Sequence, residues 1–297
     1  MDWGLSEPGR LLLLSNLLCS EGIISSNGAA FLKEMILRRD PRVGSLLSRF
    51  EGEVVVDSAF MAEVHNIIVD EAQSAYDELF QDTSLEVGKS VSKEERERQN
   101  LTDEKSLIYG EVEFKSFYRI LHKIGPKRES TFYDLGSGTG KALFVARFTQ
   151  DFGKCIGIEI LQGLHNRAFR ITHRYNTEFR SILCSTQRQH AAVYKGSFID
   201  IDWSDGDVVF ANSTCFDDDL MQVLSEKAVQ LKPGAIVVTF TKGLAPNRCF
   251  ELLERKKEMM SWGPATVYIH RRLNIDGTST GSKCLNTFPC DDQENAE

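Results

Sequence analysis

Two patterns of apolar and polar residues divide the chain. Over residues 10–80, apolar residues recur at spacings of three and four, as at Phe31 and Met35, and this periodicity predicts amphipathic helices. Residues 89–105 then carry many charges and few apolar side chains, which is typical of a solvated helix or a linker. We therefore expect a helical N-terminal cap over residues 1–88 and a charged linker over residues 89–105.

Short β-type runs alternate with helical segments from residue 131 onward. We predict strands at residues 131–135, 155–159, 191–195, 207–211 and 235–241, with helices at residues 141–151, 162–179 and 217–231. This alternation is typical of an α/β, Rossmann-like fold with a mostly parallel sheet covered by helices on both faces.

Two further segments complete the α/β region. Residues 246–260 look helical and residues 265–271 look like a late strand. We expect the α/β domain to span residues 106–285 and an acidic tail at residues 286–297 to be disordered.

Composition narrows the class of protein. The formal net charge of −8 argues against a protein that coats nucleic acid, so any contact with nucleic acid must be local. The seven cysteines lack metal-ligand spacing, which favours reduced thiols inside the cell and no metal site. The apolar run at residues 11–14 is too short to span a bilayer, so we expect neither a signal peptide nor a membrane anchor.

A glycine-rich turn follows the first predicted strand of the sheet. It comprises Asp134, Leu135, Gly136, Ser137, Gly138, Thr139, Gly140 and Lys141. In an open α/β sheet, ligands bind at the carboxyl ends of the strands, where glycines let the backbone approach the ligand and the next helix offers free N–H groups. Nicotinamide and flavin sites also use such turns, so the turn alone does not identify the ligand.

An acidic residue at the tip of the second strand indicates a nucleoside. Glu159 stands where a ribose-binding carboxylate belongs. The glycines run Gly-x-Gly-x-Gly with Asp134 two residues ahead, which lacks the Gly-x-Gly-x-x-Gly spacing of a pyrophosphate site. We therefore predict S-adenosylmethionine, a cofactor with a cationic amino-acid end and no phosphate. A dinucleotide and a purely structural turn are the alternatives.

Two more strand ends carry polar and aromatic residues. Ser197 and Phe198, after the third strand, can present a hydrogen-bonding group and a ring beside an adenine, although Phe198 could equally be an ordinary core residue. After the fourth strand, Asn212 and Phe216 flank three small residues at the edge where an acceptor would bind.

These residues carry a resemblance to the disruptor-of-telomeric-silencing family, the non-SET histone lysine methyltransferases. The shared elements are Tyr109-Gly110-Glu111-Val112, the turn at 134–141, Glu159, Gly-x-Phe at 196–198 and Phe210-Ala211-Asn212. The resemblance implies a class I methyltransferase that modifies a lysine on the globular face of histone H-three, with a nucleosomal partner and a nuclear location. The alternatives are a non-histone protein or small-molecule acceptor, and an inactive cofactor-binding scaffold.

The resemblance also implies a role for each matching residue. Tyr109, Gly110, Glu111 and Val112 would close over the methionine end, Asp134 and Gly136 would hold the amino group and backbone, Glu159 would bind the ribose hydroxyls, and Ser197 and Phe198 would frame the adenine. This chain departs from the family at Ser197, where the family has an acid, and at Lys141, where it has Gln. It also departs inside the Asn-Asn-Phe-Ala-Phe pattern.

The acceptor lysine must lose its proton before it can be methylated. A narrow aromatic channel favours this, because desolvation disfavours the ammonium form. Tyr109 and Phe216 are the predicted channel walls, and Asn212 is predicted to orient the amine.

Arginines recur on the helix after the second strand. Arg167, Arg170 and Arg174 share one face by their spacing. A solvated, salt-bridged face is one interpretation, and a patch that contacts nucleosomal DNA or an acidic protein surface is the other.

Overall fold

The computed structural model describes residues 6–48, 56–180 and 190–274, so the predicted tail at residues 286–297 lies outside the described residues. The helices are α1 (Glu7–Ser20), α2 (Ser26–Leu37), α3 (Gly44–Ser48), α4 (Ser58–Leu79), α5 (Leu85–Arg98), α6 (Phe114–Ile124), α7 (Lys141–Thr149), α8 (Gln162–Arg174) and α9 (Asp218–Ala228). Every helix in this part of the chain is too short or too polar to cross a membrane.

Seven strands form one sheet in the order β3-β2-β1-β4-β5-β7-β6. They are β1 (Thr131–Leu135), β2 (Lys154–Glu159), β3 (His190–Lys195), β4 (Val208–Ala211), β5 (Ile236–Phe240), β6 (Phe250–Met260) and β7 (Gly263–Arg272). The first five pair in parallel, whereas β7 runs antiparallel to β5 and β6 antiparallel to β7. The predicted mostly parallel Rossmann-like sheet is therefore confirmed.

The strand order reverses beside β1. From β1 the chain builds the sheet in one direction through β2 and β3, and then returns to β1's other side with β4 and β5. Such a switch point opens a crevice at the carboxyl ends of the strands, where the glycine-rich turn follows β1.

Alternate residues of the central strands enter two separate cores. Phe132 packs on one face with α4, α6, α7 and α8, whereas Tyr133 and Leu135 pack on the other face with α9. This period-two alternation is what a strand covered on both faces requires. It also fixes the direction of the strand tips that form the site.

The N-terminal helices dock on the α/β region through buried polar contacts. Nδ2 of Asn27 donates to the carbonyl of Arg147 at 2.7 Å, and the backbone N–H of Ser26 donates to Asp151 at 2.7 Å. Phe31 of α2 lies 6.5 Å from Phe148 of α7, ring centre to ring centre. The predicted helical pattern of this region is present, and its helices share a core with the sheet.

The structure corrects the predicted helix at residues 246–260. Most of this segment is β6, the edge strand of the sheet. Its Glu, Leu, Lys and Met residues favour a helix locally, but pairing with β7 overrides that preference. Glu254 and Glu258 then face α6, where they pair with Lys123 at 2.6 Å and with Arg119 at 3.5 Å.

The segment predicted as a charged linker is also largely helical. Residues 89–98 belong to α5, and the side chains of Ser92 and Glu95 are buried. Ser92 donates to the carbonyl of Leu107 at 3.0 Å. One side of this helix therefore packs against the domain, while the other side, with Lys93 and Glu97, is solvated.

We predict that Asn27→Ala lowers the free energy of unfolding by about 1–3 kcal/mol, because the buried Arg147 carbonyl loses a donor. Urea unfolding followed by circular dichroism measures the change. Asn66→Ala, at an exposed position on α4, is the matched control and should change stability far less. Equal effects of the two substitutions would contradict the prediction.

Candidate active site

A cavity of about 370 Å³ opens at the carboxyl ends of the central strands. Most predicted site residues line it, namely Tyr109, Gly110, Glu111, Val112, Asp134, Gly136, Ser137, Gly138, Lys141, Glu159, Ser197, Phe198, Asn212 and Phe216. Thr139 and Gly140 belong to the same turn without lining the cavity. The tertiary fold thus brings together residues more than a hundred positions apart.

The glycine-rich turn adopts a backbone that other residues resist. Gly136 and Gly138 have φ values of 77° and 56°, in the left-handed region. The N–H groups of Gly136 and Ser137 donate to the carbonyl of Ile158 at 2.8 and 3.0 Å, which ties the turn to β2. The turn is therefore held by backbone bonds.

Asp134 presents an unpaired carboxylate oxygen to this cavity. Its side chain is buried, and among the described residues its Oδ2 atom has no hydrogen-bond partner. Burial, with the nearby negative charge of Glu159, raises the pKa of Asp134 to about 8. A cationic group in the cavity would supply the missing partner and stabilise the ionised form.

Glu159 joins the turn to the helix that follows β2. Its Oε2 atom accepts from the N–H of Gly138 at 2.7 Å, and its Oε1 atom accepts from the N–H of Leu161 at 2.7 Å. Burial raises the pKa of Glu159, while these backbone donors lower it. Each carboxylate oxygen has a second lone pair, so Glu159 can also accept from ribose hydroxyls.

Tyr109 braces the turn against α5. Its hydroxyl donates to Glu111 at 2.6 Å and lies 2.7 Å from Oγ1 of Thr139. Its ring lies between Gly88 and Gly138, where a Cβ on Gly138 would stand 2.5 Å from the ring and one on Gly88 would overlap it. These contacts hold the Tyr109 ring beside the turn, and its role as a channel wall stays a prediction.

Ser197 and Phe198 lie at one side of the cavity. The Ser197 hydroxyl accepts from the N–H of Ile199 at 3.1 Å. The Phe198 ring stacks on Phe216 with a centre-to-centre distance of 5.8 Å and packs partly against the core under the sheet. Phe198 is thus both a lining residue and a partial core residue.

Asn212 connects β4 to the Tyr109–Val112 segment. Its Nδ2 atom donates to the carbonyl of Gly110 at 3.4 Å, and its Oδ1 atom accepts from the hydroxyl of Thr214 at 2.9 Å. Ser213 is buried and donates to the carbonyl of Phe240 at 2.7 Å. The polar residues of this turn therefore hold the acceptor edge in place.

Comparison with known families identifies the chain. Residues 88–261 match the family described as Histone methylation protein DOT1. The chain belongs to this family. It is an S-adenosylmethionine-dependent methyltransferase, and the predicted family, activity and cofactor are confirmed.

Two solved methyltransferase structures are similar to part of this chain. An RNA methyltransferase from Salinibacter ruber, in complex with S-adenosyl-L-homocysteine, is 23% identical over 56% of this chain and 95% of its own, with a TM-score of 0.41. TrmN from Thermus thermophilus is 14% identical over 53% of this chain and 48% of its own, with a TM-score of 0.42. At these identities the likeness concerns the fold alone. Among curated proteins, none matches.

The residues that line the cavity of this DOT1-family chain fit its cofactor by their charge and hydrogen-bonding groups. The unpaired Oδ2 atom of Asp134 suits the ammonium of the amino-acid end, and Glu159 suits the ribose hydroxyls. Phe198 offers a ring to the adenine. The Ser197 hydroxyl accepts from a neighbouring N–H, so its own proton remains available to the ligand.

Sequence reasoning missed Trp262, which lies in the turn between β6 and β7. A Cβ on Gly110 would lie 3.1 Å from the Trp262 ring and 3.7 Å from Nδ2 of Asn212, and the ring is 37% exposed. Ser261 donates to the carbonyl of Glu111 at 2.7 Å, which ties this turn to the site. The predicted helix at residues 246–260 concealed the hairpin that Gly263 and Pro264 would have signalled.

Glu95 was also missed. Its carboxylate accepts from the N–H groups of Gln162 at 2.7 Å and Gly163 at 2.5 Å, the first residues of α8. A carboxylate at a helix N-terminus accepts hydrogen bonds from the free backbone N–H groups and interacts favourably with the positive end of the helix dipole. Glu95 therefore holds the start of α8 beside Leu161, whose N–H binds Glu159.

Arg174 of the predicted arginine face is also bonded within the chain. It donates to the carbonyl of Glu78 at 2.8 Å and pairs with Glu178 at 2.9 Å, so it closes the C-terminal end of α4. Arg170 is exposed, and Arg167 and Arg174 are half-buried. Contact of the three arginines with nucleosomal DNA or an acidic protein surface stays a prediction.

We predict that cofactor binding releases close to one proton at pH 7. The Asp134 carboxyl group, with a pKa of about 8, is mostly protonated in the free protein, whereas the cofactor ammonium binds its ionised form. Affinity should fall about tenfold per pH unit below 8. Calorimetry in buffers of different ionisation enthalpy counts the proton. Asp134→Asn should abolish both effects, and an affinity independent of pH in the unaltered protein would contradict the prediction.

We predict that Glu95→Gln weakens cofactor binding about tenfold, because an amide cannot accept from both N–H groups of α8 and the anchor of Leu161 loosens. Calorimetric titration with S-adenosylhomocysteine measures the change. Glu97→Gln, on the exposed side of α5, should leave affinity unchanged. An unchanged affinity in the Glu95 variant would show that the cap does not support the site.

Proposed function

We propose that this chain transfers a methyl group from S-adenosylmethionine to a lysine amine on the globular face of histone H-three in nucleosomes. The observation that carries the proposal is the acceptor edge, where Asn212, Gly110 and Trp262 meet beside the cavity. Membership of the DOT1 family supports histone as the substrate class.

The residues at this edge favour a neutral amine. The Trp262 ring is partly exposed beside the cavity, and Phe216 is buried in the cavity wall. Such aromatic surfaces exclude water and disfavour an ammonium, so a lysine that enters gives up its proton more readily. When bound, the cofactor supplies an electrophilic methyl group on a sulfonium.

Asn212 acts in this proposal as a positioning residue. Both ends of its amide are already engaged, with Gly110 and with Thr214. It therefore orients the Tyr109–Val112 segment, and the segment in turn shapes the path to the methyl donor.

A second acceptor class is favoured by one observation. Thr214 stands where the family pattern has Phe, and its hydroxyl lies 3.3 Å from the hydroxyl of Thr241. This more polar edge suits a non-histone protein lysine or a small molecule. The inactive-scaffold alternative is disfavoured by membership of the DOT1 family of methyltransferases.

Contact with nucleosomal DNA belongs to the same proposal. Its candidates are Arg167, Arg170 and Arg174 on α8. Arg170 lies eight residues beyond Gln162, about 12 Å along the helix from the cavity edge.

A nuclear location follows from the proposed substrate. The domain limits 1–88, 89–105 and 106–285 stay predictions, and the first of them falls inside α5.

The decisive experiment compares recombinant nucleosomes, free histones and a cell lysate as acceptors of radiolabelled methyl groups. We expect label on histone H-three in nucleosomes. Gly136→Arg is the inactive control. Its backbone would have to keep a φ of 77°, which is strained for arginine, and its side chain would enter the cavity. Label confined to another protein in the lysate would refute the chromatin substrate and keep the methyltransferase.

A further inference from the structure

Lys141 carries an ammonium group in an enclosed setting. It begins α7, directly after the glycine-rich turn, and its side chain is 13% exposed. Its Nζ atom lies 4.0 Å from the centre of the Phe80 ring and 5.4 Å from that of Tyr76. Both rings come from the N-terminal region, at the end of α4.

The ammonium group of Lys141 has neighbours on several sides but does not use all its N–H groups in hydrogen bonds. Its ion pair with Oε2 of Glu111 measures 3.8 Å, which is longer than a hydrogen bond. The other oxygen of Glu111 already accepts from the Tyr109 hydroxyl at 2.6 Å. Aromatic rings attract a cation through their faces and accept no strong hydrogen bond, so the N–H groups of Lys141 remain available to a ligand.

The cavity indicates which ligand group this is. Asp134 and Lys141 stand at opposite ends of the glycine-rich turn, and both line the cavity. An amino-acid end carries one ammonium and one carboxylate on the same carbon atom. With Asp134 taking the ammonium, a cation is required for the carboxylate, and the positive end of the α7 dipole adds to it.

We propose that Lys141 binds the carboxylate of the cofactor's amino-acid end, and that Tyr76 and Phe80 position its ammonium for this contact. The inference rests on the cofactor site and not on the acceptor. It gives the N-terminal helices a function, because α4 completes a site whose other residues lie in the α/β domain. It also explains how Lys141 fits a site where the family has Gln: the two rings and Glu111 stabilise the charge.

The test compares two ligands that differ only in the amino-acid end. S-adenosylhomocysteine carries the carboxylate, and 5′-methylthioadenosine lacks the whole amino-acid group. Calorimetry should show that Lys141→Met weakens S-adenosylhomocysteine about ten- to a hundredfold while methylthioadenosine changes less than about twofold. Lys154→Met, at an exposed position at the start of β2, is the control and should change neither affinity.

The two rings are tested in the same way. Phe80→Leu should weaken S-adenosylhomocysteine selectively, whereas Tyr76→Phe keeps a ring and should retain its affinity. Because Phe80 also packs 5.8 Å from Phe144, the methylthioadenosine affinity reports any general damage to the fold. Equal losses for both ligands, or no loss in Lys141→Met, would overturn the proposal. An unaltered protein that binds neither ligand would overturn the cofactor site as well. A failed histone assay would leave the cofactor site and the proposed role of Lys141 intact.

Discussion

The site depends on the two hydrogen bonds that the carboxylate of Glu159 accepts from backbone N–H groups. The carboxylate binds the N–H of Gly138 in the turn after β1 and the N–H of Leu161 at the start of α8. Two neighbouring βα connections are thereby locked to one side chain. Glu95, from α5, accepts in the same way from the N–H groups of the next two residues, Gln162 and Gly163, at the start of α8. The cofactor cavity is thus enclosed by backbone segments that carboxylates hold in place.

This construction places several charges where water is scarce. Asp134, Glu111 and Lys141 all have pKa values moved by burial toward their neutral forms. Such groups destabilise a fold unless a partner is present. A zwitterionic amino-acid end offers one charge of each sign, so binding relieves two of these positions together. The ligand-free site is therefore organised for a partner with that charge pattern.

The N-terminal helices and the sheet form one structural unit around this site. Tyr76 and Phe80 enclose Lys141, Asn27 supports the carbonyl of Arg147, and Arg174 closes the end of α4. Removing the N-terminal region would remove both rings around Lys141 and would leave its ammonium group exposed. The acceptor edge is built separately, from β4 and the turn that carries Trp262.

The sequence by itself determined the parallel sheet, the glycine-rich turn and the positions of Asp134 and Glu159, because periodicity and glycine spacing are written in consecutive residues. It did not determine that residues 250–260 form a strand, since their helical preference is reversed only by pairing with β7. The roles of Glu95 and Lys141 likewise came from the tertiary structure. Each depends on partners some 30 to 70 positions away, and no local pattern records which distant backbone or ring a side chain will meet.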